Sequence, residues 1–247
     1  MTTRGEFLDR VRREMGKTRG LFPAAPAPRP ARPQEAADAV RRQLVERWPQ
    51  ALERFKTEFE RIAGVFHRVS RLDEVPAVLA RIAAERGVRE AIGWDAAALG
   101  WDLRAALEGH GITVRPAPPG GDEADRRRHR EEAARAPLGV TGADWALAET
   151  GTLILTSGPG RPRSTSLLPD THVAVFGPSA LLETLEQVGM MLEARHADPV
   201  LAGSGGAINF ITGPSRTADI ELTLTRGVHG PKEVHVVFVD GLGGSVA

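Results

Sequence analysis

The stretch VPAVLARIAAERGVREAIGWDAAALGWDLRAALEGHGITVR, residues 75–115, decides the fold. The spacing of its apolar residues predicts helices over Val75–Arg86 and Leu103–Gly109. Short apolar runs predict strands at Arg89–Gly93 and Ile112–Arg115, with glycines marking the turns. Because helix and strand alternate, we predict an α/β fold with a largely parallel sheet.

The chain ahead of this stretch is predicted to begin with a separate extension. Residues 3–16 carry an amphipathic helical pattern, and five prolines within Leu21–Pro33 forbid helix there. We therefore divide the chain into an N-terminal helix and proline-rich linker, residues 1–33, and an α/β domain, residues 34–247. The extension either docks on a partner or sister subunit, or it is a frayed terminus that binds nothing.

Within the α/β domain, residues 34–68 carry a long helical pattern that Pro49 is expected to break or kink into two helices. Residues 69–247 then form the α/β core. The apolar spacing in residues 179–194 predicts a further helix with Ser179 as its N-cap. Apolar runs predict strands at Trp145–Ala148, Leu153–Leu155, His172–Phe176 and Val234–Val239.

The composition excludes several classes of function. Acidic and basic residues balance at 32 each, so no field of one sign attracts nucleic acid. The lack of cysteine removes disulfides, thiolate metal sites, cysteine-ligated iron–sulfur clusters and cysteine nucleophiles. Any electron carrier must therefore lie in a partner or a bound cofactor. With no signal-peptide core and no apolar stretch long enough to span a bilayer, we expect a cytoplasmic protein.

The first candidate motif lies between two predicted strands and consists of Glu149, Thr150, Gly151 and Thr152. These residues predict a tight turn at a sheet edge, where backbone amides and hydroxyl groups gather. The Glu149 carboxylate can serve there as a general base, as a nucleophile, or only as a hydrogen-bond acceptor of the turn.

A second motif runs from Ser157 through Gly158, Arg161 and Ser166 to His172. Its small residues let a ligand approach the backbone, and its arginine can bind an anion. His172 opens the next predicted strand and is expected to titrate near neutral pH. The alternative is an ordinary surface loop followed by a capping histidine.

A third motif begins at Thr212 and is expected to include a short helix capped by Ser215 or Thr217, with Asp219 or Glu221 in its first turn. Free amides at that helix start, beside an arginine, would form an anion site, whereas the alternative is ordinary helix capping. The anion-binding residues expected here are Thr212, Gly213, Ser215, Arg216, Thr217 and Asp219.

His229 lies in a glycine-flanked loop, of the kind that tends to carry function. A metal site built from this histidine, His172, Asp219 and Glu221 is an alternative, but no pair has a diagnostic spacing, and we predict no metal. Gly203–Gly206 indicates flexibility, not a dinucleotide site, because the position of a third glycine is an isoleucine.

Four segments together resemble the LUD-domain family, of the stand-alone lactate-utilisation protein C type. Their order and spacing also match, and they cover roughly residues 138–241. The segments are Ala148–Thr152, Ser166–Pro169 with His172, Thr212–Glu221 and Gly227–Pro231. The resemblance implies a Rossmann-like parallel α/β fold similar to the sugar-phosphate isomerase and CoA-transferase superfamily.

The resemblance also implies a role in carbohydrate metabolism, beside iron–sulfur partner proteins that oxidise L-lactate to pyruvate. A chain without cysteine fits the subunit that carries no cluster, and we expect it to bind a small carboxylate or phosphate and to hold no cofactor of its own. The alternative is a self-sufficient isomerase- or transferase-like enzyme acting on a small phosphorylated or CoA-linked carboxylate. Turnover by the chain itself and assembly into a homo-oligomer both remain open.

Ligands of open parallel α/β sheets sit beyond the carboxyl ends of the strands. We therefore expect the loops Glu149–Thr152, Ser157–Ser166 and Thr212–Thr217 to converge on one anion-binding cleft. Glu149, His172 and His229 are the candidate catalytic residues of that cleft.

Overall fold

The computed structural model describes residues 3–17, 30–120, 122–199, 206–218, 224–227 and 229–242. The chain divides into two compact units, residues 1–31 and residues 32–247. The first unit contains the predicted amphipathic helix, α1 (Arg4–Lys17), whose apolar side chains are exposed. The elements described below all belong to the second unit. Among the described residues, no helix is both long and apolar enough to cross a membrane.

Four of the helices described in the second unit begin where a short polar side chain satisfies a free backbone amide. Asp95, Asp102, Asp122 and Thr184 each accept a hydrogen bond from an N–H of the first helical turn that follows. The helices are α2 (Pro33–Arg61), α3 (Val75–Glu85), α4 (Ala96–Leu99), α5 (Leu103–Glu108), α6 (Glu123–Arg135), α7 (Ser164–Leu167) and α8 (Leu185–Ala197).

Six parallel strands form the main sheet, as the alternation of helix and strand predicts. They are β1 (Val65–Val69), β2 (Glu90–Gly93), β3 (Thr113–Pro116), β4 (Leu138–Gly142), β7 (Thr171–Phe176) and β12 (Glu233–Val239). Their order across the sheet is β1-β12-β7-β4-β2-β3. This is a Rossmann-like α/β arrangement, and the predicted fold class is confirmed.

Two smaller groups of strands hold the loops of interest. One sheet consists of β5 (Trp145–Leu147), β6 (Thr152–Thr156), β8 (Leu181–Leu182) and β9 (Ile208–Ile211). Its order is β8-β5-β6-β9, and β5 and β6 form an antiparallel hairpin. The other is an antiparallel pair, β10 (Arg216–Ala218) and β11 (Leu224–Arg226).

The main sheet is buried because helices cover both of its faces. Every residue of β4 and β7 is buried, which is typical of central strands in parallel sheets. On one face, Phe55 of α2 packs edge-on against Phe176, with ring centroids 5.5 Å apart. On the other face, Arg86, the residue that follows α3, contacts His235 and Glu233. The aromatic residues and the polar cluster are thus on opposite faces.

The expected break at Pro49 is absent. The helix α2 runs without interruption from Pro33 to Arg61, with Pro49 inside it. Its second half buries Leu52, Phe55 and Phe59, and this packing outweighs the hydrogen bond that proline removes. The helix ends before residue 68, because Ala63 adopts a left-handed conformation and β1 then pairs with β12.

The helix expected over residues 179–194 begins later, at Leu185, with Thr184 as its N-cap in place of Ser179. Leu181 and Leu182 instead form a strand that pairs with Ala146 and Leu147. Sequence periodicity does not separate these alternatives for a short apolar run, so the long-range pairing decides.

Candidate functional site

The hairpin turn Glu149–Thr152 joins β5 to β6, as predicted. Gly151 has a φ of +63°, and a Cβ there would lie 2.4 Å from the backbone nitrogen of Phe59, in the last turns of α2. Only glycine fits both the conformation and this close approach. Glu149 is exposed, and its Oε2 accepts a hydrogen bond from the backbone N–H of Leu185, 3.1 Å away, at the start of α8.

Three threonine hydroxyls form a chain beside this turn. The hydroxyl of Thr150 lies 2.7 Å from that of Thr152, which in turn lies 2.9 Å from that of Thr212. Thr152 is buried, whereas Thr150 and Thr212 are exposed. This row of three hydroxyls has a buried member in the middle and an exposed member at each end, and it offers donors and acceptors to a polar ligand.

The segment after β9 reaches the same end of α2. A Cβ on Gly213, which has a φ of +81°, would lie 2.8 Å from the Ile62 carbonyl oxygen. Arg216 donates a hydrogen bond to that same carbonyl. Two residues beyond Gly213, the Ser215 hydroxyl accepts a hydrogen bond from the His229 backbone N–H, 3.3 Å away. His229 itself is exposed.

The structure corrects the expected local geometry around Arg216. Residues 216–218 form β10, not a helix, and the backbone of Thr217 pairs with that of Thr225. The neighbouring helix terminus is the carboxyl end of α2, whose carbonyls carry a partial negative charge. Arg216 therefore caps a helix end. Asp219 and Glu221 lie outside the described residues.

The opposite end of β6 is followed by Ser157, Gly158 and Arg161, and Ser157 lies about 17 Å along the chain from Thr152. The Ser157 N–H donates to the Ala207 carbonyl, and Gly158 and Arg161 form a small bridge with each other. The structure thus divides the residues expected in one cleft into two groups, and only the group around Thr152 and Thr212 is brought together at the end of α2.

At this second location a buried carboxylate holds the loop in place. Asp144 Oδ1 lies 2.5 Å from the Arg161 guanidinium and 3.6 Å from that of Arg195. Asp144 Oδ2 accepts from the Thr156 N–H at 2.6 Å. Arg161 also stacks over the ring of Trp94, 4.7 Å from its centroid. Sequence reasoning missed Asp144, although an aspartate within a predominantly apolar segment was the available signal.

His172 and Ser166 do not join either group. His172 is fully buried in β7, where its Nε2 lies 2.8 Å from the Thr141 hydroxyl. Burial lowers the pKa of His172 to about 3, so the expectation that it titrates near neutral pH is wrong. Ser166 is buried in α7 and donates to the Arg163 carbonyl at 3.0 Å.

A further polar cluster lies on the α3 face of the sheet. The rings of His67 and His235 stack, with Nε2 and Nδ1 3.1 Å apart, and Glu233 and Arg86 bind the far side of His235. Burial, together with the neighbouring imidazole, lowers the pKa of His67 to about 4. Neither this cluster nor any other set of His, Asp and Glu in the described residues has the geometry of a metal site.

Relatives named lactate utilization protein C match large parts of the chain. The relative from Exiguobacterium sp. is 41% identical over 121 residues, covering 49% of this chain and 52% of the relative. That from Macrococcus caseolyticus is 34% identical over 172 residues, covering 68% and 69%. The chain spans about half the length of several of the curated relatives that it matches.

The fold also has a solved counterpart. A DUF162 family protein from Deinococcus radiodurans superimposes with a TM-score of 0.53 at 22% sequence identity, covering 78% of this chain and 98% of that one. The sequence profile of the LUD domain matches residues 52–239, which is more than half of the chain and includes the hairpin turn and the segment after β9. The chain therefore belongs to the LUD domain family.

Proposed function

We propose that this chain is the subunit of an L-lactate utilisation system that carries no iron–sulfur cluster, and that it works with iron–sulfur proteins that oxidise L-lactate to pyruvate. The names of its relatives support a role in lactate utilisation. The 247 residues contain no cysteine, so thiolate ligands for a cluster must come from a partner. The two electrons that leave lactate pass to those partners, and this chain holds the substrate.

The observation that carries the proposal is the meeting of distant segments at the end of α2. Thr150 and Thr152 from the hairpin turn, Thr212 and Ser215 from the segment after β9, and the His229 loop are linked there by hydrogen bonds. These are the segments on which the family resemblance rests. Exposed hydroxyls held by glycine turns are typical of a ligand site and not of a packed core.

The chemistry of this cluster suits a small hydroxycarboxylate. The contact with Ile62 uses one of the five N–H donors of Arg216, whose side chain is exposed and can bind a carboxylate. Arg61, the residue before Ile62, pairs with Glu58 at 2.5 Å, so a second guanidinium lies at this end of α2. The threonine hydroxyls can then bind the hydroxyl group of lactate, and His229 is the candidate for proton transfer.

The alternative is a self-sufficient isomerase- or transferase-like enzyme in which Glu149 acts as the nucleophile. Glu149 is exposed and directly precedes Thr150, the first of the three hydrogen-bonded threonines, which favours this role. Its Oε2 is already engaged by the Leu185 N–H, however, which ties the side chain to the start of α8. We therefore assign Glu149 to holding the hairpin against α8, and the alternative remains second.

The test is reconstitution with the iron–sulfur partners. Tagged chain should co-purify with them, and lactate-dependent dye reduction should require all components. The chain alone should reduce no dye and contain no stoichiometric iron or sulfide. Lactate-dependent dye reduction by the chain alone would contradict the proposal, as would full activity of the partners without it. Turnover of a phosphorylated or CoA-linked carboxylate by the isolated chain would favour the alternative.

A further inference from the structure

A cavity of about 560 Å³ opens between α2 and α8, and the threonine cluster of Thr150, Thr152 and Thr212 contributes nothing to its lining. Its walls include Leu44, Val45 and Trp48 of α2, Trp145 of β5, Leu182 of β8 and Met191 of α8. A volume of this size falls within the range of small-molecule sites and exceeds what a ligand of lactate's size would fill.

The position of the cavity is where ligands bind in parallel α/β sheets. Trp145 comes three residues after the end of β4, Pro178 and Ser179 follow β7, and Asp240 and Gly241 follow β12. Three neighbouring parallel strands thus direct their carboxyl ends to this wall. Ligands of such sheets occupy the crevice outside the carboxyl ends of the strands.

The walls suit a flat, apolar ring system. Two of the four tryptophans of the chain line the cavity, together with leucine, valine and methionine side chains. Trp48 is fixed from behind, because its ring stacks on Phe238 with centroids 5.8 Å apart. Rigid indoles and a thioether bind aromatic rings well because their polarisable surfaces pack closely against flat faces.

Four charged residues line the cavity, and one of them, Arg195, is largely buried 3.6 Å from the Asp144 carboxylate. Asp240 is neutralised by Arg68, 2.9 Å away, and Asp198 caps the end of α8 near Arg195. Arg41 is half-exposed and pairs with Asp38 through an exposed contact at 2.7 Å. Exposed pairs of this kind contribute little, so Arg41 remains able to bind an acidic group. The cavity is therefore apolar inside and cationic at the Arg41 side of its mouth.

We propose that this cavity is a second ligand site, which binds a flat aromatic molecule that carries an acidic substituent. The ring system lies against Trp48 and Trp145, and the acid lies at Arg41. The site shares no lining residue with the threonine cluster, so its test does not depend on the proposed role in lactate utilisation.

Anilinonaphthalene sulfonate is a suitable probe, because it joins two aromatic systems to one sulfonate. Titrated into the full chain, it should bind one equivalent saturably and quench tryptophan fluorescence. Trp48→Phe should remove a large part of this quenching. Trp101→Phe should not, because Trp101 does not line the cavity.

Two variants at exposed positions test the site without disturbing the core. Val45, which is 70% exposed at the mouth, is changed to Asp, and Arg41 is changed to Glu. Each should weaken binding of the sulfonate probe at least tenfold. Leu168→Asp is the matched control, since Leu168 is exposed but lies outside the cavity, and it should bind within twofold of wild type. Equal thermal melting of all variants confirms that they fold.

Nile red, an uncharged flat dye, separates the two parts of the proposal. Val45→Asp should weaken the binding of both dyes, whereas Arg41→Glu should weaken only the binding of the sulfonate. Binding of the sulfonate that is non-saturable, or unchanged in Val45→Asp, would overturn the site. Equal loss of both dyes in Arg41→Glu, or loss of neither, would overturn the assignment of an acidic substituent.

Discussion

The side-chain hydroxyl of Thr152 lies 2.9 Å from that of Thr212, although sixty residues separate them in sequence. The contact follows from the pairing of β6 with β9, in which Leu153 faces Ile211 and so places the two threonines side by side. Gly151 and Gly213 on either side press against the end of α2. One helix end thus fixes the position of both loops of the proposed lactate site.

Replacing Gly151 by alanine should destabilise the fold far more than the same change at Gly87. The two residues have φ values of +63° and +64°, but a Cβ at Gly87 meets nothing within 4 Å, whereas at Gly151 it meets backbone atoms of α2. The left-handed conformation alone costs about 1–2 kcal/mol. With the added clash we expect about 3 kcal/mol or more for Gly151→Ala. Urea unfolding of both variants measures the difference, and equal costs would contradict the close approach to α2.

Removing the Asp144 carboxylate should cost about 3–5 kcal/mol of unfolding free energy, because two largely buried guanidiniums lose their counter-ion. Asp144→Ala is compared with Asp73→Ala, whose partner Arg71 is exposed. The control should melt like the wild type, since exposed ion pairs contribute little. A wild-type melting temperature for Asp144→Ala would mean that the carboxylate does not anchor the loop.

Acid should destabilise the protein through His172. Its pKa is about 3 when folded and 6.5 when unfolded, so the folded chain binds fewer protons between these values. Its stabilising effect is therefore complete above pH 6.5 and declines as the pH falls toward 3, by at most about 1.4 kcal/mol per pH unit. When urea unfolding is measured from pH 7 to pH 5, the unfolding free energy of His172→Gln should fall less steeply with decreasing pH than that of the wild type.

The matched control for this titration is Thr141→Val. It removes the hydrogen-bond partner of His172 and leaves the imidazole in place. The unfolding free energy of this variant should change with pH as steeply as that of the wild type, even where its overall stability is lower. An unchanged slope in His172→Gln would show that other groups account for the loss of stability in acid.

Deleting residues 1–31 should change the melting temperature of the remainder by less than about 2 °C. These residues form a compact unit of their own, and α2 begins only at Pro33. A deletion of residues 1–40 is the contrast, because it removes the buried Ala37 and Val40 and the contact of Gln34 with the Ala194 carbonyl at 2.8 Å. A large drop for the shorter deletion would place the extension in the core.

The alternation of apolar runs located the parallel sheet from sequence because each run reports its own local conformation. The strand predicted at Arg89–Gly93 is β2, and the helix predicted at Leu103–Gly109 is α5 within one residue. The predictions at Pro49 and Ser179 were wrong where distant packing decides, since burial on the sheet keeps α2 continuous and pairing with β5 makes a strand of Leu181–Leu182.

The candidate site was predictable only in part. The motif residues Thr152 and Thr212 could be named from sequence, but their contact depends on strand register, which spacing does not reveal. Arg216 was expected at a helix start and lies at a helix end, because the chain that follows it forms a strand. Asp144 and Arg195 were missed because their contact joins residues from distant segments of the chain.

Calorimetric titration of L-lactate into the chain tests the threonine site most directly. Wild type should bind lactate, and Thr212→Val should bind it about two- to tenfold more weakly, as expected for the loss of one hydrogen bond. Thr57→Val is the matched control, because Thr57 is an exposed threonine of α2 whose hydroxyl donates to the Glu53 carbonyl of its own helix. It should bind lactate as wild type does. No binding by wild type, or equal affinity in Thr212→Val and wild type, would contradict a lactate site at the meeting of Thr152 and Thr212.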